Sequence, residues 1–264
     1  MKKYLVVGNP INHSLSPQLH NYWIKQNEIN AIYDKKELNK NELKNLILDI
    51  KKGKITGVNV TVPFKNTVIP HLDELSDESQ KTQAVNTVYL KDKKVVGHNT
   101  DIEGFEKAIK KINFDLKNKK IFILGAGGVV PSIIYAAMKM GSSEIIVSNR
   151  TKEKAEKVKK IFDNIKLINW GSVPDFDVVI NATSLGLNHE DKINLDFVKI
   201  KGNKLFYDLI YNPGETNFLK TGKELGNKYE NGKLMFIYQA SLAFKLWHGI
   251  EPTIDSETIK LLDR

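Results

Sequence analysis

Lys120-Ile-Phe-Ile-Leu-Gly-Ala-Gly-Gly-Val-Val-Pro131 is the stretch on which the reading of the fold turns. A short apolar strand runs into Gly125, Ala126, Gly127 and Gly128, and an apolar helix follows over 131–140. Glycines between a buried strand and a helix leave free amides at a helix N-terminus. That is where a dinucleotide pyrophosphate binds, because it needs close backbone approach. Val130 departs from the small residue usual at the third position, while Pro131 is harmless in a first helical turn. A tight strand–helix connection explains the glycines equally well, so the end of the next strand decides.

That strand, Glu144–Ser148, ends in Asn149-Arg150-Thr151, with Lys152 and Lys154 beyond. A site for NAD wants a carboxylate here for the ribose hydroxyls, whereas a guanidinium suits the 2′-phosphate of NADP. The expected cofactor is NADP(H). Arg150 read as a solvated charge at a helix start is the competing view.

Outward from this turn the pattern continues. Strands at 120–124 and 144–148 with helices at 131–140 and 152–162 make a β-α-β unit, and 177–181 and 204–209 read as further strands. The first hundred residues form a separate mixed series. Its strands are 3–7, 31–33, 57–62, 87–90 and 94–96; its helices are 17–26 and 41–51. A helix at 102–112 joins the two series. Helices at 235–247 and 256–263 fall outside the second pattern and are expected to return to the first domain. The expected division is therefore 1–100 with 233–264, interrupted by 101–232.

Composition bounds the function. At 264 residues the chain has the length of roughly 1.8 average domains. With 41% hydrophobic and 27% charged residues it is not disordered. Forty basic against 31 acidic residues give +9, which points toward a polyanion. Yet only Arg150 and Arg264 are arginines, and readers of bases and phosphates depend on the arginine fork. A lysine- and asparagine-rich composition explains the charge at least as well, so charge alone leaves the matter open; it is the motifs along the chain that carry the expectation of no nucleic-acid partner. With no cysteine, disulfides, thiolate metal sites and cysteine nucleophiles are excluded; the histidines show no metal spacing, so no metal is expected. The apolar run at 4–7 is read as too short for a signal peptide. The uncharged stretch 121–138 is broken by glycines and a proline, so no membrane partner is expected. The expected location is cytoplasmic.

Polar clusters mark the first domain. Ser14-Leu15-Ser16-Pro17 precedes a helix, with Ser16 expected as its N-cap. Such a helix start also suits a small carboxylate, and Ser14 has no capping role to explain it. In the expected strand 57–62, valines 58, 60 and 62 share one face; Asn59 and Thr61 share the other, at the C-terminal end where α/β sheets place ligands, with a merely wet sheet face as the competing view. Lys65 follows Pro63, and read alone it is one lysine among many. Asn86 opens the next strand. Asp101 in Asn99-Thr100-Asp101 reads equally as an N-cap. Gln239 sits on an apolar helix, where a polar group needs a partner.

Taken in order, these motifs resemble shikimate dehydrogenases. The set comprises Gly8-Asn9-Pro10, Ser14-Leu15-Ser16-Pro17, Asn59-Val60-Thr61-Val62-Pro63-Phe64-Lys65, Ala84-Val85-Asn86-Thr87 and Asn99-Thr100-Asp101. It continues with Gly125 to Gly128, Asn149-Arg150-Thr151, Asn181-Ala182-Thr183-Ser184, Tyr207-Asp208-Leu209 with Tyr211, and Gln239. The resemblance implies an α/β fold: an N-terminal mixed α/β substrate domain, a Rossmann-like NADP-binding domain and a catalytic cleft between them. It implies NADPH-dependent reduction of 3-dehydroshikimate to shikimate, towards chorismate and aromatic amino acids. Lys65 and Asp101 match the catalytic pair. Ser14, Ser16 and Tyr211 match contacts to the substrate carboxylate; Thr61, Lys65, Asn86, Asp101 and Gln239 match those to its hydroxyls, with Asn59 beside them. Gly125, Ala126, Gly127, Gly128 and Val129 match one cofactor loop and Asn149, Arg150, Thr151 and Lys154 the other. Thr183, Ser184, Leu209 and Gly232 match contacts further along the dinucleotide. Val129-Val130-Pro131 and Lys233 depart from the family pattern. Monomer and homodimer both stay open.

The chemistry is consistent with that pair. Hydride arriving at a ketone leaves a developing alkoxide that needs an acid beside it. A neighbouring carboxylate favours the ammonium form of a lysine, which suits reduction, so oxidation is expected to improve as pH rises.

Overall fold

The structure is a computed structural model that describes residues 1–200 and 202–263; Arg264 lies outside the described residues. The chain divides into two compact units, Met1–Gly104 with Ile237–Asp263, and Phe105–Phe236. Both boundaries fall inside helices, one helical turn beyond 100/101 and 232/233.

The first unit begins with β1 (Lys2–Gly8), α1 (Ser16–Gln26), β2 (Ala31–Glu37), α2 (Leu43–Lys51) and β3 (Gly57–Val60). Then come β4 (Glu74–Leu75), α3 (Asp77–Thr82), β5 (Thr87–Lys91), β6 (Lys94–His98) and α4 (Asp101–Lys111). The strands form one mixed sheet in the order β2-β1-β3-β5-β6-β4. Its first three strands are parallel, whereas β5 runs antiparallel to β3 and β6.

Both faces of this sheet are covered. On one, Leu5, Val7, Val58 and Val60 pack against Leu43, Leu46, Ile47 and Ile50 of α2, whose spacing places them along one helical stripe. The other face is aromatic. Tyr33, Tyr4 and Gly57 lie side by side in register across β2, β1 and β3. The missing side chain at Gly57 admits Trp247: a Cβ there would lie 2.5 Å from its Nε1. Trp247 is 4.9 Å from the Tyr4 ring, centroid to centroid, and His20 stacks on Tyr33 at 4.1 Å.

Two expectations change here. The strand expected over 57–62 stops at Val60, because Phe64 N donates to Thr61 O at 2.8 Å and closes a turn. Val62 consequently turns outward, 59% exposed, instead of joining Val58 and Val60. Asn59 is not on a wet face: every residue of β3 is buried, because the sheet is covered on both sides.

The second unit contains β7 (Lys120–Leu124), α5 (Val130–Lys139), β8 (Glu144–Ser148), α6 (Lys152–Ile161) and β9 (Lys166–Ile168). After these come β10 (Val178–Asn181), β11 (Leu205–Asp208), α7 (Asn217–Glu224) and β12 (Lys228–Glu230). All six strands are parallel, in the order β12-β11-β10-β7-β8-β9. Counted from β7 this is 3-2-1-4-5-6, the doubly wound dinucleotide-binding order, with its switch point between β7 and β10. Phe122, Phe176, Phe206 and Phe218 fill one face. Of the last helices, α8 (Lys233–His248) enters the first unit at Ile237, and α9 (Ser256–Lys260) lies within it. Among the described residues no helix is long and apolar enough to cross a membrane.

Candidate active site

In the first unit the turn after β3 delivers Lys65, whose carbonyl accepts from Val85 N at 2.8 Å. Lys65 Nζ donates to Asp101 Oδ2 at 2.5 Å, with the two side chains only 10% and 6% exposed. Asp101 Oδ1 accepts from Asn86 Nδ2 at 3.0 Å, so both carboxylate oxygens are engaged. Asp101 opens α4, and its own N–H donates to Asn99 Oδ1 at 3.1 Å. The capping contact thus belongs to Asn99, which leaves the Asp101 carboxylate to the lysine. A negative charge is favoured there by the helix dipole.

Asn86 is the hub of the cluster. Its Oδ1 accepts from Thr100 N at 2.8 Å and from Thr87 Oγ1 at 3.0 Å, while Nδ2 reaches Gln239 Oε1 at 3.4 Å. Gln239 comes this near because Gly104 has no side chain: a Cβ there would lie 2.9 Å from the Gln239 Cβ.

A second arm runs through Asn59. Its Nδ2 donates to Asn86 O at 3.2 Å and to Thr87 Oγ1 at 3.1 Å, and its Oδ1 accepts from the Tyr33 hydroxyl at 2.7 Å. The Ser16 hydroxyl lies beside the same phenol, which burial holds well above its usual pKa. Ser16 is not the N-cap that its spacing suggested. The helix starts at Ser16 itself, Leu15 occupies the cap position without a side-chain bond, and Ser14 Oγ accepts from Ser16 N at 3.3 Å. Thr61 is held beside β1 by its N–H to Val7 O at 2.9 Å. The structure therefore joins Asn59, Lys65, Asn86 and Asp101 in one buried network that reaches the half-buried Gln239, and Ser16 adjoins it at Tyr33.

In the second unit the loops after β7, β10 and β11 lie together at the switch point. Gly125 has φ +114°, and a Cβ there would lie 2.7 Å from Ala182 O, so only glycine fits. Gly127 is exposed, with nothing closer than 4.0 Å to a Cβ. These glycines leave the cradle that a pyrophosphate requires. After β8, Asn149 Nδ2 donates to Thr151 O at 2.7 Å, while Thr151, Lys152 and Lys154 are exposed. Arg150 is exposed too and pairs with none of the described residues. On the other side of the switch, Thr183 donates through N and Oγ1 to Asn181 Oδ1 at 3.0 and 2.7 Å, and Ser184 is exposed. Leu209 N donates to Asn181 O at 3.0 Å. Gly232 packs so tightly on Leu209 that a Cβ would overlap the Leu209 carbonyl. Tyr211 stacks on Phe236 at 4.4 Å. Val129 holds the cap position of α5, and Val130 is fully buried as its first residue.

Residues 6–88 match the substrate binding domain of shikimate dehydrogenase, and residues 106–208 match shikimate/quinate 5-dehydrogenase. The chain belongs to the shikimate dehydrogenase family. The shikimate dehydrogenase (NADP(+)) of Pelagibacter ubique is 57% identical over 262 residues, covering 99% of each chain. The crystal structure of shikimate dehydrogenase from Aquifex aeolicus is 38% identical, covers 99% of this chain and 97% of its own, and superimposes with a TM-score of 0.90. That of shikimate 5-dehydrogenase from Thermus thermophilus, in complex with NADP(H) and shikimate, is 30% identical, with coverages of 99% and 98% and a TM-score of 0.89.

Within this shikimate dehydrogenase fold, sequence reading passed over Tyr33, Gly104 and the part played by Asp208. Tyr33 left one signal, as a large aromatic residue closing a short predicted strand. Asp208 left another, as a lone carboxylate ending an apolar strand. Among the described residues no group of three His, Cys, Asp or Glu could hold a metal.

Proposed function

We infer that the protein catalyses the reversible NADPH-dependent reduction of 3-dehydroshikimate to shikimate, with Lys65 and Asp101 as its acid–base pair. The observation that carries this is the buried 2.5 Å contact of Lys65 with Asp101, fixed by Asn86, in a chain of this family. Bound NADPH supplies a hydride to the ketone carbon. Lys65 gives a proton to the oxygen as it becomes an alkoxide and takes it back in the oxidative direction. Asp101 holds the ammonium in place, so the transferred proton belongs to the pair rather than to either residue.

Binding follows the same geometry. Ser14 and Ser16 offer hydroxyls at the start of α1, where the helix favours an anion, and we assign the substrate carboxylate to them together with Tyr211. Thr61, Asn86 and Gln239 are assigned to the ring hydroxyls. Both amide hydrogens of Asn59 are already committed to protein acceptors, which supports a shaping role for it instead of a donating one. Gly125 to Val129 and Asn149 to Lys154 are assigned to the pyrophosphate and 2′-phosphate; Thr183, Ser184, Leu209 and Gly232 are assigned to the nicotinamide end. Arg150, exposed and unpaired among the described residues, supports NADP over NAD. We also propose a cytoplasmic location, supported by an activity that draws on a pool of reduced cofactor.

The test is to follow NADPH absorbance with shikimate and NADP+, then with quinate in place of shikimate, then with NAD+ in place of NADP+. Turnover is expected with the first combination and far less with the others. No turnover with any of them would overturn the reading.

A further inference from the structure

Asp208 has no part in the assignments above, yet two of the loops they use hang on it. It ends β11 after Leu205, Phe206 and Tyr207, is fully buried, and is the register partner of Asn181 at the end of β10. Its Oδ1 accepts from Asn181 Nδ2 and from Ile210 N, each at 3.0 Å, and its Oδ2 accepts from Thr216 Oγ1 at 2.6 Å. Asn181 passes the constraint on: Nδ2 also donates to Leu185 O at 3.0 Å, and Oδ1 holds both donors of Thr183. Thr216 in turn caps α7. Gly186 meets the far side of this clamp, where a Cβ would lie 3.0 Å from Thr216 Cγ2. One carboxylate thus ties 181–186 to 209–216.

Among the described residues no cation pairs with Asp208, and burial raises its pKa to about 6 despite three donors. The titratable groups around it do not offset that burial. Tyr207 stays protonated, its phenol raised by burial and by the charges of Glu230 and Asp208; Glu230 on β12 is itself raised by burial. From the loop, Asp191 accepts from Gly186 N and stays ionised. α7 turns Phe218, Leu219 and Gly222 inward and exposes its charges.

We propose that Asp208 is a positioning residue for the dinucleotide site, whose ionised carboxylate holds the 181–186 and 209–216 loops in register and whose protonation loosens them. A protonated carboxyl carries a hydrogen on one oxygen, which makes that oxygen a donor and a poor acceptor, so the three donors are no longer held as the carboxylate holds them. The proposal rests on the assignment of these loops to NADP.

Asp208→Asn keeps the shape and mimics the protonated form. KM and Kd for NADP+ are to be measured for wild type and variant from about pH 5 to 8, since the ratio between them cancels the titration of the cofactor's own phosphate. The expected ratio is about tenfold at the alkaline end, falling toward one at the acid end, with kcat less affected. Thr216→Val, which keeps the charge but removes the donor to Oδ2, is expected to shift the wild-type rise in KM to higher pH. In the cofactor-free protein, amide exchange in both loops, corrected for intrinsic pH dependence, is expected to be faster in Asp208→Asn at the alkaline end. A flat ratio with normal wild-type binding, or unchanged loop exchange, overturns this proposal alone. A wild type that binds no NADP+ at any pH overturns the functional reading with it.

Discussion

Lys65 Nζ and Asp101 Oδ2 lie 2.5 Å apart, and neither side chain is more than 10% exposed. Removing one partner of such a pair strands the other charge in a poorly hydrated place, at about 3–5 kcal/mol. Lys65→Ala is therefore expected to lose stability as well as about 10²-fold or more in kcat, with a smaller change in substrate KM. The double variant Lys65→Ala/Asp101→Ala should be more stable than either single variant and equally inactive. Urea denaturation and NADPH oxidation measure both; an unchanged kcat in Lys65→Ala would refute the assignment.

Tyr33→Phe tests the second arm of the network. It removes the donor to Asn59 Oδ1 and leaves a buried acceptor short of a partner, which costs about 1–3 kcal/mol. The expected result is a several-fold rise in KM for shikimate with kcat nearly unchanged. Lower stability with an unchanged KM would mean that Tyr33 supports the core and not the site.

Arg150→Ala is expected to raise KM for NADP+, leave KM for shikimate alone, and narrow the preference for NADP+ over NAD+. Steady-state kinetics with both cofactors check it. A preserved preference ratio would show that another group reads the 2′-phosphate.

His20 makes the first unit sensitive to acid. It is buried, neither ring nitrogen hydrogen-bonds to any of the described residues, and burial together with the His248 charge lowers its pKa to about 3. Unfolded His20 titrates near its model-peptide value of about 6.5. Between those values the unfolded chain binds the extra proton, so stability falls as pH falls, by about 1.4 kcal/mol per pH unit. Asp208 acts in the opposite sense, since a buried carboxyl with a raised pKa holds its proton more tightly when folded. Comparing His20→Phe with wild type isolates the histidine: the variant should gain about 2 kcal/mol relative to wild type between pH 6.5 and 5. Tryptophan emission from Trp23 and Trp247, in the same aromatic cluster, reports the unfolding. A difference that does not vary with pH would contradict it.

How much of this was legible in the sequence depended on whether the cause was local. β7 and β8 are bounded as the apolar runs indicate, because a doubly covered parallel strand is written as a continuous apolar stretch. β9 and β12 are three-residue edge strands with exposed residues; they exist because a neighbour supplies their hydrogen bonds, and nothing in Lys166–Ile168 or Lys228–Glu230 signals it. Lys65, Asn86, Asp101 and Gln239 could be singled out by motif, and their convergence is a property of the folded chain. Tyr33 escaped because its partner Asn59 is 26 positions away and the bond depends on strand register. Ser16 misled because a serine before a proline has the cap's composition, while the cap itself falls one residue earlier.

The sheet order of the second unit has an evolutionary consequence. The residues assigned to the phosphates, Gly125 to Val129 and Asn149 to Lys154, follow β7 and β8 on one side of the switch point. Those assigned to the reactive ring, Thr183, Ser184, Leu209 and Gly232, follow β10 to β12 on the other. On these assignments, a few exchanges after β8 retune which dinucleotide is accepted and leave the groups assigned to the ring untouched. Coenzyme preference and chemical competence would then be separately heritable traits, open to change one without rebuilding the other.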